Sequence, residues 1–176
     1  MGNTLAAGYL QVYTGDGKGK SSAAFGLALR AAGHELEVYI GQFMKGRQSG
    51  EVLALSTLPN VTVEQFGSPH FVDPDNITSD DRARAAEGID RVRQILREGR
   101  HALVILDEVN VALSMGLLSM AELGELLDLK GKQVELVCTG RYAPEGLLSR
   151  ADLVTEMRPL KHYMDAGVPA RLGIEY

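Results

Sequence analysis

The sequence contains a single cysteine and no tryptophan among its 176 residues. Because a disulfide needs two cysteines, a disulfide-stabilised scaffold is excluded, and the composition fits a reducing cytoplasm. The one cysteine, Cys138, lies in the apolar run VELVC at residues 134–138, where we expect a small buried hydrophobic side chain. No segment reaches the roughly 20 apolar residues of a membrane-spanning helix. We expect no membrane span and no export signal, and we interpret residues 1–7 as a flexible leader.

The sequence also lacks any block of like charge. It has 18 basic and 23 acidic residues, which leaves a formal net charge of -5. A protein that follows a phosphate backbone needs a basic patch, so we do not expect nucleic acid as a partner. The hydrophobic share of 45% is enough to build one core, and residues 1–176 are expected to form a single domain.

Segments with strand and helix patterns alternate along the chain. An unbroken apolar run at residues 101–106 is typical of a strand that is covered on both faces. The alternation predicts an α/β protein with three layers, in which a mainly parallel sheet has helices on both faces and ligands bind at the carboxyl ends of the strands. Strands are predicted at residues 9–14, 36–43, 61–66, 101–106, 133–139 and 153–157, and helices at 20–32, 51–58, 83–96 (with cap candidates at 78–81 and a stop at Gly99), 111–115, 120–129 and 144–150.

A glycine-rich segment, TGDGKGKS at residues 14–21, joins the first strand to the first helix. Gly15, Gly17 and Gly19 can adopt positive φ, which would let the backbone curl closely around phosphate groups. The start of a helix adds N–H groups and the positive end of the helix dipole. The segment matches a Walker A phosphate loop except at Thr14, which occupies the place of the first glycine.

The side chains of this phosphate loop suit a nucleotide bound with a metal ion. Lys20 supplies a positive charge and Ser21 a hydroxyl that can bind a metal, while Lys18 adds a second cation. The alternative is a glycine-rich turn whose lysines are simply solvated. The position of the segment between a strand and a helix favours the phosphate loop. The predicted α/β fold is then the three-layer P-loop (RecA-like) fold, and residues 1–176 are expected to form a single nucleotide-binding domain.

Two adjacent carboxylates follow the apolar strand in the sequence LVILDE at residues 103–108. Asp107 and Glu108 are placed like the carboxylates of a Walker B strand, which hold Mg²⁺ directly or through water. By themselves they could equally cap a helix. If both residues continued the strand, they would face opposite sides of the sheet, so we expect Glu108 to lie nearer the metal and Asp107 to orient its neighbours.

Five ordered motifs closely resemble one family, the P-loop type of ATP:corrinoid adenosyltransferase. The threonine at position 14 is usual in that family. The resemblance implies that Co(I) of a corrinoid, cob(I)alamin or cob(I)yrinic acid a,c-diamide, attacks the 5′ carbon of ATP and releases triphosphate in adenosylcobalamin biosynthesis or salvage. It also implies Mg²⁺ or Mn²⁺, an electron-donating reductase that delivers Co(I), a homodimer and a cytoplasmic location. The motifs are TGDGKGKSSAAFG (14–26), QFMKG (42–46), LDEVN (106–110), TGR (139–141) and the tail at 151–167.

The resemblance also assigns roles to individual residues. Lys20 and Phe71 are the implied catalytic residues, and Ser21, Glu108 and Asp107 the implied metal-binding ones. Lys45 and Arg141 are candidates for contacts with the triphosphate or ribose. The implied ATP-binding residues are Thr14, Gly15, Asp16, Gly17, Lys18, Gly19, Lys20, Ser21, Ser22, Lys45 and Arg141.

The corrinoid side is expected in the long segment at residues 67–78, which is rich in Gly, Ser, Pro, Asp and Asn and reads as a functional loop. Similar proteins carry Phe and Trp there, where an apolar surface displaces the axial ligands of cobalt. Phe71 can stand for the phenylalanine, but this chain has no tryptophan.

Two alternatives for the function of the protein remain open: a generic P-loop ATPase or kinase that releases ADP, and a nucleotide-binding module without turnover.

Overall fold

The structure, a computed structural model, describes residues 4–70 and 72–175. Strands and helices alternate along the described chain as the sequence predicts. The strands are β1 (Leu10–Thr14), β2 (Val38–Phe43), β3 (Val61–Phe66), β4 (Leu103–Asp107), β5 (Glu135–Thr139) and β6 (Leu153–Glu156). The helices are α1 (Lys20–Ala32), α2 (Gly50–Leu55), α3 (Ser79–Glu98), α4 (Val109–Ser114), α5 (Met120–Leu129) and α6 (Glu145–Leu148), followed by a 3₁₀ turn at Tyr163–Ala166.

The six strands form one sheet in the order β3-β2-β4-β5-β1-β6, and every pairing among them is parallel. The predicted α/β fold with a parallel sheet and flanking helices is therefore confirmed. Element ends differ from the predicted ones by a few residues, most clearly at α2. That helix ends at Leu55 instead of residue 58, because the amides of Thr57 and Leu58 bond to carbonyls three residues back and tighten the last turn.

Side chains of the central strands alternate between two apolar layers. In β4, Leu103 and Ile105 pack with α1 on one face, while Val104 and Leu106 pack with α3 and α5 on the other. This alternation explains why β4 is an unbroken apolar run. Cys138 of β5 belongs to the second layer and is a buried free thiol, as expected, and burial raises its pKa to about 12.

Helix α3 is defined by strong end signals. Thr78 and Asp81 form a reciprocal capping box at its start, and Gly99 ends it in the left-handed conformation with φ 63°. None of the helices in the described ranges is long and apolar enough to span a membrane.

A glycine in α3 sets how closely the helix approaches the sheet. A Cβ on Gly88 would lie 2.7 Å from Phe43 Cε1 and 2.9 Å from Phe66 Cγ. Overpacking of this kind costs about 1–3 kcal/mol, against a gain in helix propensity of about 1 kcal/mol. We expect Gly88→Ala to lower the free energy of unfolding, measured by urea denaturation.

The matched control is Gly124→Ala in α5, where the added Cβ meets only Arg150 Nη1 at 3.6 Å. This variant should be as stable as the parent or up to about 1 kcal/mol more stable. Equal effects at the two positions would contradict the packing explanation.

Candidate nucleotide-binding site

The phosphate loop lies where β1 passes into α1. Gly19 is the N-cap of α1, with φ 115°, and no side chain caps the helix. The first turn of α1 contains no acidic residue. Ser, Thr, Asp and Asn are the preferred residues at the N-cap, because their side chains accept hydrogen bonds from the first amides of the helix. A 13-residue helix without one presents its first amides, and the positive end of its dipole, to an external anion.

Two glycines bring the loop against the edge strand β6. Gly15 has φ 93°, as predicted, but Gly17 does not adopt positive φ, so that expectation was wrong. The reason for glycine at position 17 is close packing: its amide donates to the Met157 carbonyl at 2.7 Å, and a Cβ would lie 2.7 Å from the same oxygen. Close contact with the backbone directly after β6, and not a positive φ, therefore requires glycine at position 17.

Lys20 lies inside the loop and is 8% exposed. Its ammonium donates to the carbonyls of Gly15 and Gly17, each at 2.7 Å. Burial lowers the pKa of Lys20, and the nearby carboxylate of Glu108 opposes that shift. The structure thus holds one cation at the centre of the loop, at the head of α1.

Thr14 is tied to the segment that follows β5. Its hydroxyl accepts the amide of Ala143 at 3.3 Å, and its carbonyl accepts the amide of Met157 at 2.8 Å. A glycine at this position would lose the side-chain hydrogen bond to Ala143 in the segment that carries Arg141. The departure from the Walker A pattern therefore has a structural role in this chain.

A cleft of about 710 Å³ opens beside the loop. It brings together loop residues with side chains from the segments that follow β2, β4 and β5. Thr14, Gly15, Asp16 and Asp107 do not line it, and Phe71 lies outside the described residues. The predicted site residues that line this main cleft are Gly17, Lys18, Gly19, Lys20, Ser21, Ser22, Lys45, Glu108 and Arg141.

The main cleft also has an apolar side that the sequence did not reveal. Phe25, Leu29, Leu55 and Leu58 line it between α1 and the α2 region. In the sequence these residues look like ordinary core positions, so no local signal marked them. The tail reaches the cleft as well, since Lys18 pairs with Glu175 at 2.9 Å.

Glu108 does not continue β4 as the argument from strand alternation assumed. It adopts a left-handed conformation, φ 60° and ψ 15°, and is the N-cap of α4. Burial raises its pKa, the adjacent Asp107 raises it further, and Lys45, Lys20 and Arg141 oppose the shift. The turn at Glu108 directs this carboxylate into the main cleft, while Asp107 stays buried in the sheet.

The donors in the cleft suit Mg²⁺ or Mn²⁺ bound together with a nucleotide. Ser21 and Glu108 offer a hydroxyl and a carboxylate, which are hard oxygen donors. Across residues 4–70 and 72–175, no cluster of three or more His, Cys, Asp or Glu side chains could hold a metal by itself. Mg²⁺ commonly uses one or two protein ligands and completes its shell with water and phosphate oxygens. The residues fit that mode of binding.

The segment at residues 67–78 has neither helix nor strand in its described part, in agreement with the predicted loop. Gly67 packs closely on the backbone of Lys45, and the Arg47 guanidinium donates to the Pro69 carbonyl at 2.7 Å. Val72 is buried in the core. The described residues of this segment lie outside the main cleft, and their expected ligand contacts stay a prediction.

A glycine-rich loop between a strand and a helix, with a buried lysine in the loop and a carboxylate directly after a central strand of the same parallel sheet, defines a P-loop nucleotide-binding protein. The sequence model of one such family, ATP:corrinoid adenosyltransferase BtuR/CobO/CobP, matches residues 6–176. The chain therefore belongs to the ATP:corrinoid adenosyltransferase family, as the motifs indicated.

Individual relatives agree with this assignment. The chain is 36% identical over 170 residues to the corrinoid adenosyltransferase of Pseudomonas aeruginosa, covering 96% of this chain and 84% of that protein. It is 35% identical over 169 residues to the corrinoid adenosyltransferase of Escherichia coli K12, covering 96% and 86%. It is also 38% identical over 175 residues to the uncharacterized protein all2391 of Nostoc, covering 88% of this chain and 45% of that longer protein.

Proposed function

We propose that this enzyme binds ATP with its triphosphate on the phosphate loop and transfers the adenosyl group to the Co(I) of a corrinoid. ATP and a corrinoid are the substrates that the family implies. One observation carries the proposal: Lys18, Lys20, Lys45 and Arg141 converge with the start of α1 on one side of a cleft whose other side is apolar. A generic ATPase or a non-catalytic module is not favoured.

The reaction needs positioning and charge stabilisation more than acid–base chemistry. Co(I) donates an electron pair to C5′, the bond from C5′ to the triphosphate oxygen breaks, and triphosphate leaves with the bonding pair. No side chain has to act as nucleophile. Backbone amides at the head of α1 and the buried Lys20 oppose the charge that grows on the departing oxygen.

The other polar residues have separate roles in this proposal. Arg141 and Lys45 reach the cleft from the segments after β5 and β2 and bind the outer phosphates. Ser21 and Glu108 hold the divalent ion, Mg²⁺ or Mn²⁺, which neutralises phosphate charge when bound. Phe25, Leu29 and the α2 side chains exclude water from the reacting atoms.

The corrinoid side of the proposal rests on the family resemblance and on composition. Phe71, which lies outside the described residues, is the residue that the resemblance implies for contact with the corrinoid. A reductase supplies Co(I), and the protein works in the cytoplasm as a homodimer of single-domain chains. The exposed Leu153 and Val154 on the edge strand β6 are compatible with a second copy covering that edge.

Product analysis is the direct test. Purified protein, Mg-ATP and chemically reduced cob(I)alamin should yield a light-sensitive alkylcobalamin and an equal amount of triphosphate, with no ADP. The visible spectrum and an assay for triphosphate follow the two products together, and a sample without reductant is the control. Steady release of ADP that does not depend on corrinoid would contradict adenosyl transfer and return the function to the generic P-loop alternative.

A further inference from the structure

Four polar side chains form a continuous hydrogen-bonded row across the carboxyl ends of four neighbouring strands. From β3 to β5, the Gln65 amide donates to Gln42 Oε1 at 2.7 Å, the Gln42 amide donates to Asp107 Oδ2 at 2.8 Å, and the Thr139 hydroxyl donates to Asp107 Oδ1 at 2.6 Å. We call Gln65, Gln42, Asp107 and Thr139 the polar row.

The sheet register produces the polar row. Gln42 is the partner of Gln65 on one side and of Asp107 on the other. Thr139 follows Cys138, whose partner Leu106 precedes Asp107, so the fourth member lies level with the third. Alternation places all four on the face covered by α1, the helix that begins at the phosphate loop.

Asp107 is buried in the sheet and does not line the main cleft. It is 0% exposed, and each of its carboxylate oxygens accepts a hydrogen bond from the polar row. The ammonium of Lys45 lies 3.6 Å from Asp107 Oδ2 and forms an ion pair with it. Lys45 lines the main cleft, whereas Asp107 does not. The ion pair therefore links a buried carboxylate to a lysine whose side chain is 36% exposed at the cleft.

The two ends of the polar row hold the backbone at Glu108 and at Arg47. At one end, Thr139 Oγ1 accepts the backbone amide of Glu108 at 3.0 Å, at the residue where the chain turns left-handed. At the other end, the Gln65 amide donates to the Arg47 carbonyl at 2.9 Å, two residues beyond Lys45. One network therefore anchors both the carboxylate and the lysine of the site.

We propose that Asp107 is a positioning residue and not a metal ligand, and that through the polar row it sets the placement of Glu108 and Lys45 relative to each other. The proposal rests on the proposed function of the main cleft. It separates the two adjacent carboxylates by role: Glu108 faces the nucleotide and its metal ion, while Asp107 acts through Thr139 and through the ion pair with Lys45.

Thr139→Val tests the proposal without touching a carboxylate, because it removes the hydroxyl that links Asp107 to the Glu108 amide at nearly constant volume. Loss of an outer-shell partner typically costs about 10- to 100-fold in metal affinity or activity. We expect the Mg²⁺ concentration that half-saturates ATP binding, measured by calorimetry without corrinoid, to rise about tenfold. Adenosylation should fall to a similar extent. Thr139→Ser keeps the hydroxyl and should restore both.

Two further variants separate positioning from loss of fold. Thr62→Val makes the same substitution at an exposed site of β3 and should behave as wild type. Gln65→Leu removes the far end of the polar row. In the double variant with Thr139→Val, the loss of ATP-binding free energy should be smaller than the sum of the losses in the two single variants, because both substitutions act through one network.

The opposite result would overturn the proposal. If Asp107 were a direct ligand, Asp107→Asn would abolish Mg²⁺-dependent ATP binding while Thr139→Val and Gln65→Leu bound Mg-ATP like wild type. A Thr139→Ser variant as impaired as Thr139→Val would also contradict it. Because the binding measurement needs no corrinoid, a wild-type protein that failed to adenosylate cob(I)alamin would remove the proposed function and leave this test intact.

Discussion

Lys20→Ala is expected to lower kcat/KM for ATP by about 10²- to 10³-fold, the typical cost of removing one preorganised donor to developing negative charge. Lys20 is the cation at the centre of the phosphate loop, and its ammonium lies 2.7 Å from two loop carbonyls. The loss should appear in kcat as well as in KM, because charge on the triphosphate oxygen grows toward the transition state. Initial rates with saturating cob(I)alamin measure it.

The choice of control matters because the protein carries many lysines. Lys132→Ala removes an exposed lysine remote from the main cleft and should leave the rate unchanged. Lys18→Ala should fall between the two, since Lys18 lines the cleft but is exposed and paired with Glu175. A Lys20→Ala enzyme within about threefold of the parent, a difference well under 1 kcal/mol in transition-state stabilisation, would show that this lysine does not stabilise the leaving group.

Glu108→Gln is expected to have the second largest effect, a loss of about 100-fold in adenosylation at fixed Mg²⁺. The amide has nearly the same shape but no charge, so it binds a hard divalent cation much more weakly. Since Glu108 lies where β4 ends and α4 begins, the substitution should leave the backbone intact. The Mg²⁺ midpoint for ATP binding should rise, and excess Mg²⁺ should restore part of the activity.

Glu87→Gln provides the matched control, since Glu87 is exposed on α3 and lies outside the main cleft. It removes the same charge from the protein without altering the site. If Glu108→Gln reduced the rate with an unchanged Mg²⁺ midpoint, the carboxylate would act on the nucleotide by some route other than the metal ion, and the assignment of Glu108 would have to be withdrawn.

Several parts of the fold were predictable because their signals are local. The phosphate loop follows β1 and opens α1 within one run of eight residues, 14–21. Thr78, Asp81 and Gly99 marked the ends of α3, and the apolar run before Asp107 marked a central strand. The order of the strands in the sheet was not predictable in the same way. It depends on how helices and sheet pack over the whole domain, which brings together strands that are far apart in the sequence.

The site was only partly predictable. The clustering of Lys20, Lys45, Glu108 and Arg141 agrees with the sequence prediction, although their roles stay predictions. Gln65 had no recognisable signal beyond being a polar residue near the end of an apolar strand. Lys18 looked like a free cation in the sequence, yet it pairs with Glu175 from the far end of the chain.

The sequence by itself determined the family, the phosphate loop and the α/β alternation, since each depends on residues that are close together along the chain. The sequence pattern favoured Glu108 over Asp107 as the residue nearer the metal ion, but only the tertiary structure shows how the Glu108 side chain enters the cleft while Asp107 stays in the sheet. The left-handed turn at Glu108 reverses the direction that strand alternation would assign, and the sheet register aligns Asp107 with Gln42 and Thr139. Register and backbone reversal arise from the packing of the whole sheet, which no local pattern encodes.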